Sequence, residues 1–258
     1  MTNNNEGDAM RVLLTEIKRS IFDRKFFITV AATVIAALLG SWHEISAMKH
    51  NINLTENLGE LSIRAAAASM QTDVFLLVIP ILCVIPYAGS FAEDYQSRFL
   101  RAYLPLAGRR RYLLSKAFVT ALAGGLALAA GLLVALAVCT AIYPPLGIPV
   151  GEYAFTYKLY FLALSFVFMS GALWAIVGGI AGAVLKNRYM VYAAPFIIYY
   201  VWASFQARYF RAAYAFNPQE WIRPAHINSP IVLLYAAIAA IIAFIIYYYA
   251  MKRRLRDV

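Results

Sequence analysis

Residues 74–91 read VFLLVIPILCVIPYAGSF, and residues 92–116 read AEDYQSRFLRAYLPLAGRRRYLLSK. The first stretch has no charged side chain. The second opens on Glu93-Asp94, passes through Arg98 and Arg101, and reaches the run Arg109–Arg111. Apolar sequence then resumes from Leu113 to Tyr143. A helix that crosses a bilayer needs about 20 apolar residues. Two such stretches joined by a charged loop predict an all-α integral membrane protein.

Working outward, four more stretches qualify: Phe26–Trp42, Leu159–Leu185, Met190–Phe205 and Ile231–Met251. Composition agrees. Hydrophobic residues make up 62% of the chain and charged residues 14%, against about 45–50% and about 25% in ordinary globular proteins. So apolar a chain cannot cover itself with polar groups in water. The expected division is a cytosolic segment over 1–25, a six-span domain over 26–251 and a basic tail over 252–258. The polar first nine residues lack the apolar core of a cleavable signal, so the first apolar stretch is expected to be retained.

Net charge is +10. On a soluble protein that would suggest nucleic acid; here its distribution speaks for topology and lipid, and no nucleic-acid partner is expected. Six spans put both termini on one side. Seventeen of the 23 Lys and Arg then fall on that side: in the N-terminal segment, in the loop after the second span, at Lys186 and Arg188, and in the tail. The positive-inside rule makes this side cytoplasmic, and the expected location is the plasma membrane. Cys83 and Cys139 lie in apolar runs, so neither a disulfide framework nor a Cys/His metal site is expected.

Met10, Leu13, Leu14, Ile17 and Ile21 recur at helical spacing and predict an amphipathic helix from Met10 to about Lys25. Arg11, Thr15, Lys18 and Arg19 take its other face. Such a helix lies in the membrane interface. Between the first two spans, Leu54, Leu58, Leu61 and the alanines 65–68 predict a further helix; Asn53-Leu54-Thr55 matches a glycosylation sequon that chance readily supplies. Pro80 and Pro86 predict kinks in the second span. Small residues recur at every fourth place in the third span (Ala123, Ala127, Gly131, Ala135, Cys139) and in the fourth (Gly171, Ala175, Gly179, Ala183, with Gly178 and Gly182). They let helix backbones approach closely, whether within one chain or between two copies. Residues 144–149 read as a rigid turn, and 206–229 as helical pieces dipping into the outer interface.

The loop after the second span is more organised than a connection. Phe99 and Tyr103, and Leu100 and Leu104, pair at i, i+4. Pro105 and Gly108 are expected to break this piece, and three arginines start the next span. With its interfacial helix, six spans, Glu93-Asp94, Leu104-Pro105, Arg109–Arg111, Lys116 and Asn217-Pro218, the whole chain resembles the ABC-2 type permease family, the membrane subunits of ATP-driven exporters. It departs at Tyr95-Gln96-Ser97, where a glycine-rich turn is usual.

The resemblance implies that the N-terminal helix is an elbow. It implies that the loop is a coupling helix docking on a nucleotide-binding ATPase subunit through Glu93, Asp94, Arg98, Phe99, Leu100, Arg101, Tyr103 and Leu104. Asn217, Pro218 and Trp221 would belong to an outer gate. Two ATPase copies and a second permease copy are the implied partners. The sequence contains no GxxxxGK[ST] loop, so ATP and magnesium would sit on the ATPase subunit and this chain would hold no cofactor or metal. Tyr192, Tyr199, Tyr200, Trp202 and Gln206 offer an amphipathic surface for a path suited to a peptide or lipid-like substrate, although lipid contact or packing explains them as well. The middles of the spans lack Asp, Glu, Lys, Arg and His, which disfavours ion-coupled transport.

Two other classes stand beside the exporter. A non-transporting membrane sensor or assembly subunit would share this composition. An intramembrane enzyme built on Glu93, Asp94 and Arg98 would need activating histidines nearby, whereas His43, His50 and His226 fall on the predicted opposite side.

Overall fold

The computed structural model describes residues 3–51, 58–70, 72–97, 99–142, 150–185, 187–210, 212–222 and 230–257. Every regular element among them is helical. Helix α1 spans Asn3–Ile21, α2 Arg24–Asn51, α3 Leu58–Met70, α4 Asp73–Leu82 and α5 Ser90–Gln96. Then come α6 Phe99–Ala107, α7 Arg109–Ile142, α8 Val150–Leu185, α9 Arg188–Tyr209 and α10 Pro230–Arg254. The sequon and residues 144–149 lie outside the described residues, as do Leu54, Arg223 and His226.

Three helices among the described residues are long and apolar enough to cross a membrane: Arg109–Ile142, Tyr157–Leu185 and Ile231–Arg254. They match the third, fourth and sixth stretches read from the sequence. α2 and α9 run through the first and fifth stretches. Many large apolar side chains point outward. On α10 alone Ile231, Leu234, Ile238, Ile241, Ile245 and Tyr249 are exposed, spaced three or four residues apart down one face. A surface of this kind needs a cover of lipid or protein.

The stretch 74–91 is not one helix. α4 ends at Leu82, and 83–89 is a run of tight turns before α5. Proline is the cause. Pro86 has no N–H to give to the Leu82 carbonyl, and Ile85 N–H takes that carbonyl instead at 3.3 Å. Val84 likewise bonds Ile81 at 3.3 Å, three residues back rather than four. The sequence predicted a kink; the structure contains a buried break. α3 confirms the helix ahead of the second span. It stops before Thr72, whose hydroxyl caps α4 by accepting the Phe75 N–H at 3.3 Å.

The small-residue stripes seat this break within the one chain. A Cβ on Gly124 of α7 would stand 2.8 Å from the Cys83 carbonyl oxygen and 2.5 Å from Ala175 Cβ of α8. A Cβ on Gly178 would stand 2.8 Å from Val84 and 2.9 Å from the Val191 carbonyl. Gly131 is closed by Thr33 of α2, and Gly179 by Tyr247 of α10. The larger core, with Phe75, Ile79, Phe166, Trp174 and Tyr199, includes Cys83 and Val84 of the break. A smaller core joins Phe91, Leu100, Tyr112, Tyr247 and Met251 at the charged end.

α6 runs through Pro105 and ends only at Gly108, so Pro105 does not break it as expected. Gly108 has φ +78°, a conformation that other residues adopt at a cost. Its N–H returns to the Leu104 carbonyl at 3.0 Å, which closes the helix, and α7 starts at once.

A candidate coupling site: the buried charge lock

α1 packs along α7 and presents Val12, Glu16 and Ser20 as its buried line, flanked by Leu13 and Ile17. Met10 and Leu14, predicted on the same apolar face, are exposed. The helix therefore turns a carboxylate toward the protein and two apolar side chains away from it.

That carboxylate meets Lys116, which is fully buried on α7. The ammonium has three donors and all three are used. Lys116 Nζ donates to Asp94 Oδ2 at 2.7 Å, to Tyr87 Oη at 3.0 Å and to Glu16 Oε2 at 3.2 Å. Tyr87 Oη donates to Glu16 Oε2. Asp94, 1% exposed, also accepts from Tyr112 Oη at 2.9 Å and from Arg19 Nη2 at 2.8 Å. Two cations thus balance two carboxylates, with two phenols filling the remaining valences. The spacing is helical: Glu16 and Arg19 are i, i+3 on α1, and Tyr112 and Lys116 are i, i+4 on α7. Asp94 comes from the last turn of α5, and Tyr87 from the break that Pro86 enforces.

Around the lock, Arg19 lies over the Phe99 ring, 5.7 Å from its centroid, and Phe99 stacks on Tyr103 at 5.0 Å. Lys25 at the start of α2 pairs with Glu93 at 2.7 Å. Partial burial opposes the Lys25 charge, but the Glu93 hydrogen bond and the Glu93 charge together outweigh it and hold the ammonium above its usual range. Arg188 Nε donates to Gln96, and Arg254 lies over Tyr95 at 4.4 Å. The N-terminal segment, the loop after the second apolar stretch, the start of α9 and the end of α10 therefore meet at one end of the molecule.

No family model, curated protein or solved structure matches this chain.

The expected site residues divide. Asp94 and Leu100 were assigned to a partner surface, but both are 1% exposed. Asp94 is consumed by the lock and Leu100 by the smaller core, so neither can be a contact in this conformation. Phe99 is exposed, and Tyr103, Leu104 and Glu93 are half-buried. Arg101 lies on α6 and Arg98 falls outside the described residues.

Of the proposed path residues, Tyr199 and Gln206 are buried. Gln206 Nε2 donates to the carbonyls of Phe210 and Ala213, at 3.0 and 3.2 Å, and closes the turn after α9. Both are enclosed by protein in this conformation. Tyr192 borders a cavity, Tyr200 is half-buried, and Trp202 is at the surface against Trp221. In the outer element, Asn217 Oδ1 accepts from Gln219 N–H at 3.0 Å, Pro218 is buried, and Trp221 Nε1 donates to the Ala215 carbonyl at 2.8 Å.

Glu16 and Tyr87 were not anticipated. The signal was present for Glu16: an acid on the helix line between Val12 and Ser20, with an otherwise unpaired Lys116 a hundred residues away. Among the described residues no group of His, Cys, Asp and Glu could hold a metal.

Burial alone would raise the Asp94 carboxyl. The Lys116 charge and the hydrogen bonds from Arg19 and Lys116 outweigh it, so the carboxyl lies below the ordinary range. A depressed carboxyl stabilises the fold above its unfolded value of about 4, and that contribution disappears as pH falls through the folded value. The thermal midpoint of detergent-solubilised protein is expected to drop as pH falls below about 4, and Asp94→Asn should flatten that drop. An equal drop in the variant would assign it to other groups.

Proposed function

We propose that this chain is the membrane permease subunit of an ATP-driven exporter, crossing the plasma membrane six times with both termini in the cytoplasm. A separate ATPase pair energises it, two copies form the working unit, and the cargo is an amphipathic or hydrophobic molecule leaving the cytoplasm or inner leaflet. α1 is the elbow and α6 the coupling helix.

One observation carries the reading. α6 is not loosely tethered, because its flanks Asp94 and Tyr112 are bonded to each other, and Asp94 is tied directly to Arg19 and through Lys116 to Glu16 of α1. A push on α6 would move α1, the break at 83–89 and α7 together, as a rigid element does. The meeting of all four basic segments at one end supports the cytoplasmic assignment of that end.

The partner surface is then Phe99, Tyr103 and Leu104 with the basic residues Arg98 and Arg101. Charge reversal at Arg98 and Arg101 combined with Phe99→Ala is expected to abolish stimulation of the partner's ATP hydrolysis while membrane insertion stays intact. Unchanged stimulation would remove α6 as the coupling element.

A further inference from the structure

Beside the lock is a separate cavity of 610 Å³, bounded by the start of α2, the turn before α5, α5 itself and the start of α9. That volume suits a small-molecule or headgroup site. Its walls carry Lys25, Glu93, Gln96, Arg188 and Tyr192, with Gly89 among them. The two cations are not equivalent. Lys25 is committed to Glu93 at 2.7 Å. Arg188 meets no carboxylate among the described residues; its Nε donates to the neutral Gln96. Its two Nη groups remain, and a guanidinium presents such donors in a fork that fits phosphate oxygens.

Gly89 contributes space. Its backbone is right-handed helical, φ −75° and ψ −13°, so no conformational demand calls for glycine. A Cβ there would stand 3.6 Å from Tyr192 Oη and 3.9 Å from Glu93 Oε1, in ordinary contact. A larger side chain would enter the cavity. Tyr189, 81% exposed, also lines it, an amphipathic ring of the kind found at headgroup level.

We propose that this cavity binds a phosphate group supplied by the headgroup of an anionic inner-leaflet lipid, with Arg188 as the phosphate's main partner. The inference rests on the topology proposed above. A lipid is favoured over free phosphate because two cations beside one carboxylate attract a dissolved anion weakly in physiological salt. A lipid is concentrated at the surface by its tails.

The test uses the purified chain in mild detergent, with retention followed by native mass spectrometry and by thermal midpoint. Three probes are compared: phosphatidylglycerol, diacylglycerol with the same tails, and inorganic phosphate. Wild type is expected to retain phosphatidylglycerol and not diacylglycerol. Arg188→Gln should weaken retention by about tenfold or more. Gly89→Leu should do the same with Arg188 intact, and Arg188→Lys should keep part of it. Equal retention of diacylglycerol, or wild-type retention by both Arg188→Gln and Gly89→Leu, would overturn the site. Stabilisation by inorganic phosphate without lipid retention would uphold the phosphate site and reject the lipid as its source.

No arm requires the ATPase. Loss of the coupling result with lipid retention intact would therefore sink the exporter reading and leave this one standing. Tyr189→Cys, labelled from the cytoplasmic side, checks the leaflet; the two native cysteines are buried. Labelling from outside would overturn the inner-leaflet assignment.

Discussion

Lys116→Met is expected to be among the most damaging single substitutions in this protein. The side chain is fully buried and satisfies Asp94, Glu16 and Tyr87 at once. Methionine fills similar volume and carries no charge. Asp94 would keep Arg19, but Glu16 would keep only Tyr87, and a buried carboxylate would be left without a cation. Breaking a buried pair from one side costs about 3–5 kcal/mol. The expected result is a large loss of monodisperse protein in mild detergent and a thermal midpoint lowered by many degrees.

Two further variants separate charge from shape. Lys116→Met with Glu16→Gln removes the stranded anion and should recover a substantial part of the loss. Lys25→Ala removes an ion pair whose side chains are 39% and 38% exposed, a class worth about 0–1 kcal/mol. Lys116→Met no worse than Lys25→Ala would show that the lock does not hold this end together.

Gly124→Ala is the second large effect, although it adds one methyl group. The new Cβ would lie 2.5 Å from Ala175 Cβ, 2.8 Å from the Cys83 carbonyl oxygen and 2.9 Å from the Gly171 carbonyl oxygen. Two of the three neighbours are backbone atoms, which cannot rotate away. α7 must then separate from α8 and from the break at 83–89. Overpacking of this kind costs about 1–3 kcal/mol, occasionally more. Ala175→Gly in the same chain removes one of the three clashes and should restore only part of the stability. Gly89→Ala serves as the contrast, since its nearest neighbour is 3.6 Å away and little change is expected. Equal midpoints for Gly124→Ala and Gly89→Ala would refute the close packing of α7 on the break.

The two predictions concern different kinds of information in the chain. The glycines and alanines of α7 and α8 stood out in the sequence as stripes, and the stripes proved to be contact faces. Their partner did not stand out. A carbonyl oxygen in a turn has no signature in residue identity, so the approach to Cys83 of Gly124, the neighbour of the stripe residue Ala123, was not legible. The paired residues Phe99 and Tyr103 were legible because i, i+4 spacing brings two rings together within a single helix. The fate of Asp94 was not, because its burial depends on α1 and α7.

Length, apolar runs and charge placement were enough to predict a helical chain with six apolar stretches, three of which are helices long and apolar enough to cross a membrane among the described residues, and basic segments at one end. These properties are local or additive: hydropathy sums along a helix, and capping and proline act within a turn. Only the tertiary structure decided that Glu16, Arg19, Tyr87, Asp94, Tyr112 and Lys116 form one closed network. It also decided that the second apolar stretch is broken at 83–89 rather than kinked, and that Lys25, Glu93 and Arg188 line one cavity. The network depends on residues up to a hundred positions apart whose charges are tolerable in the interior only in each other's company. Such mutual dependence has no counterpart in spacing or composition.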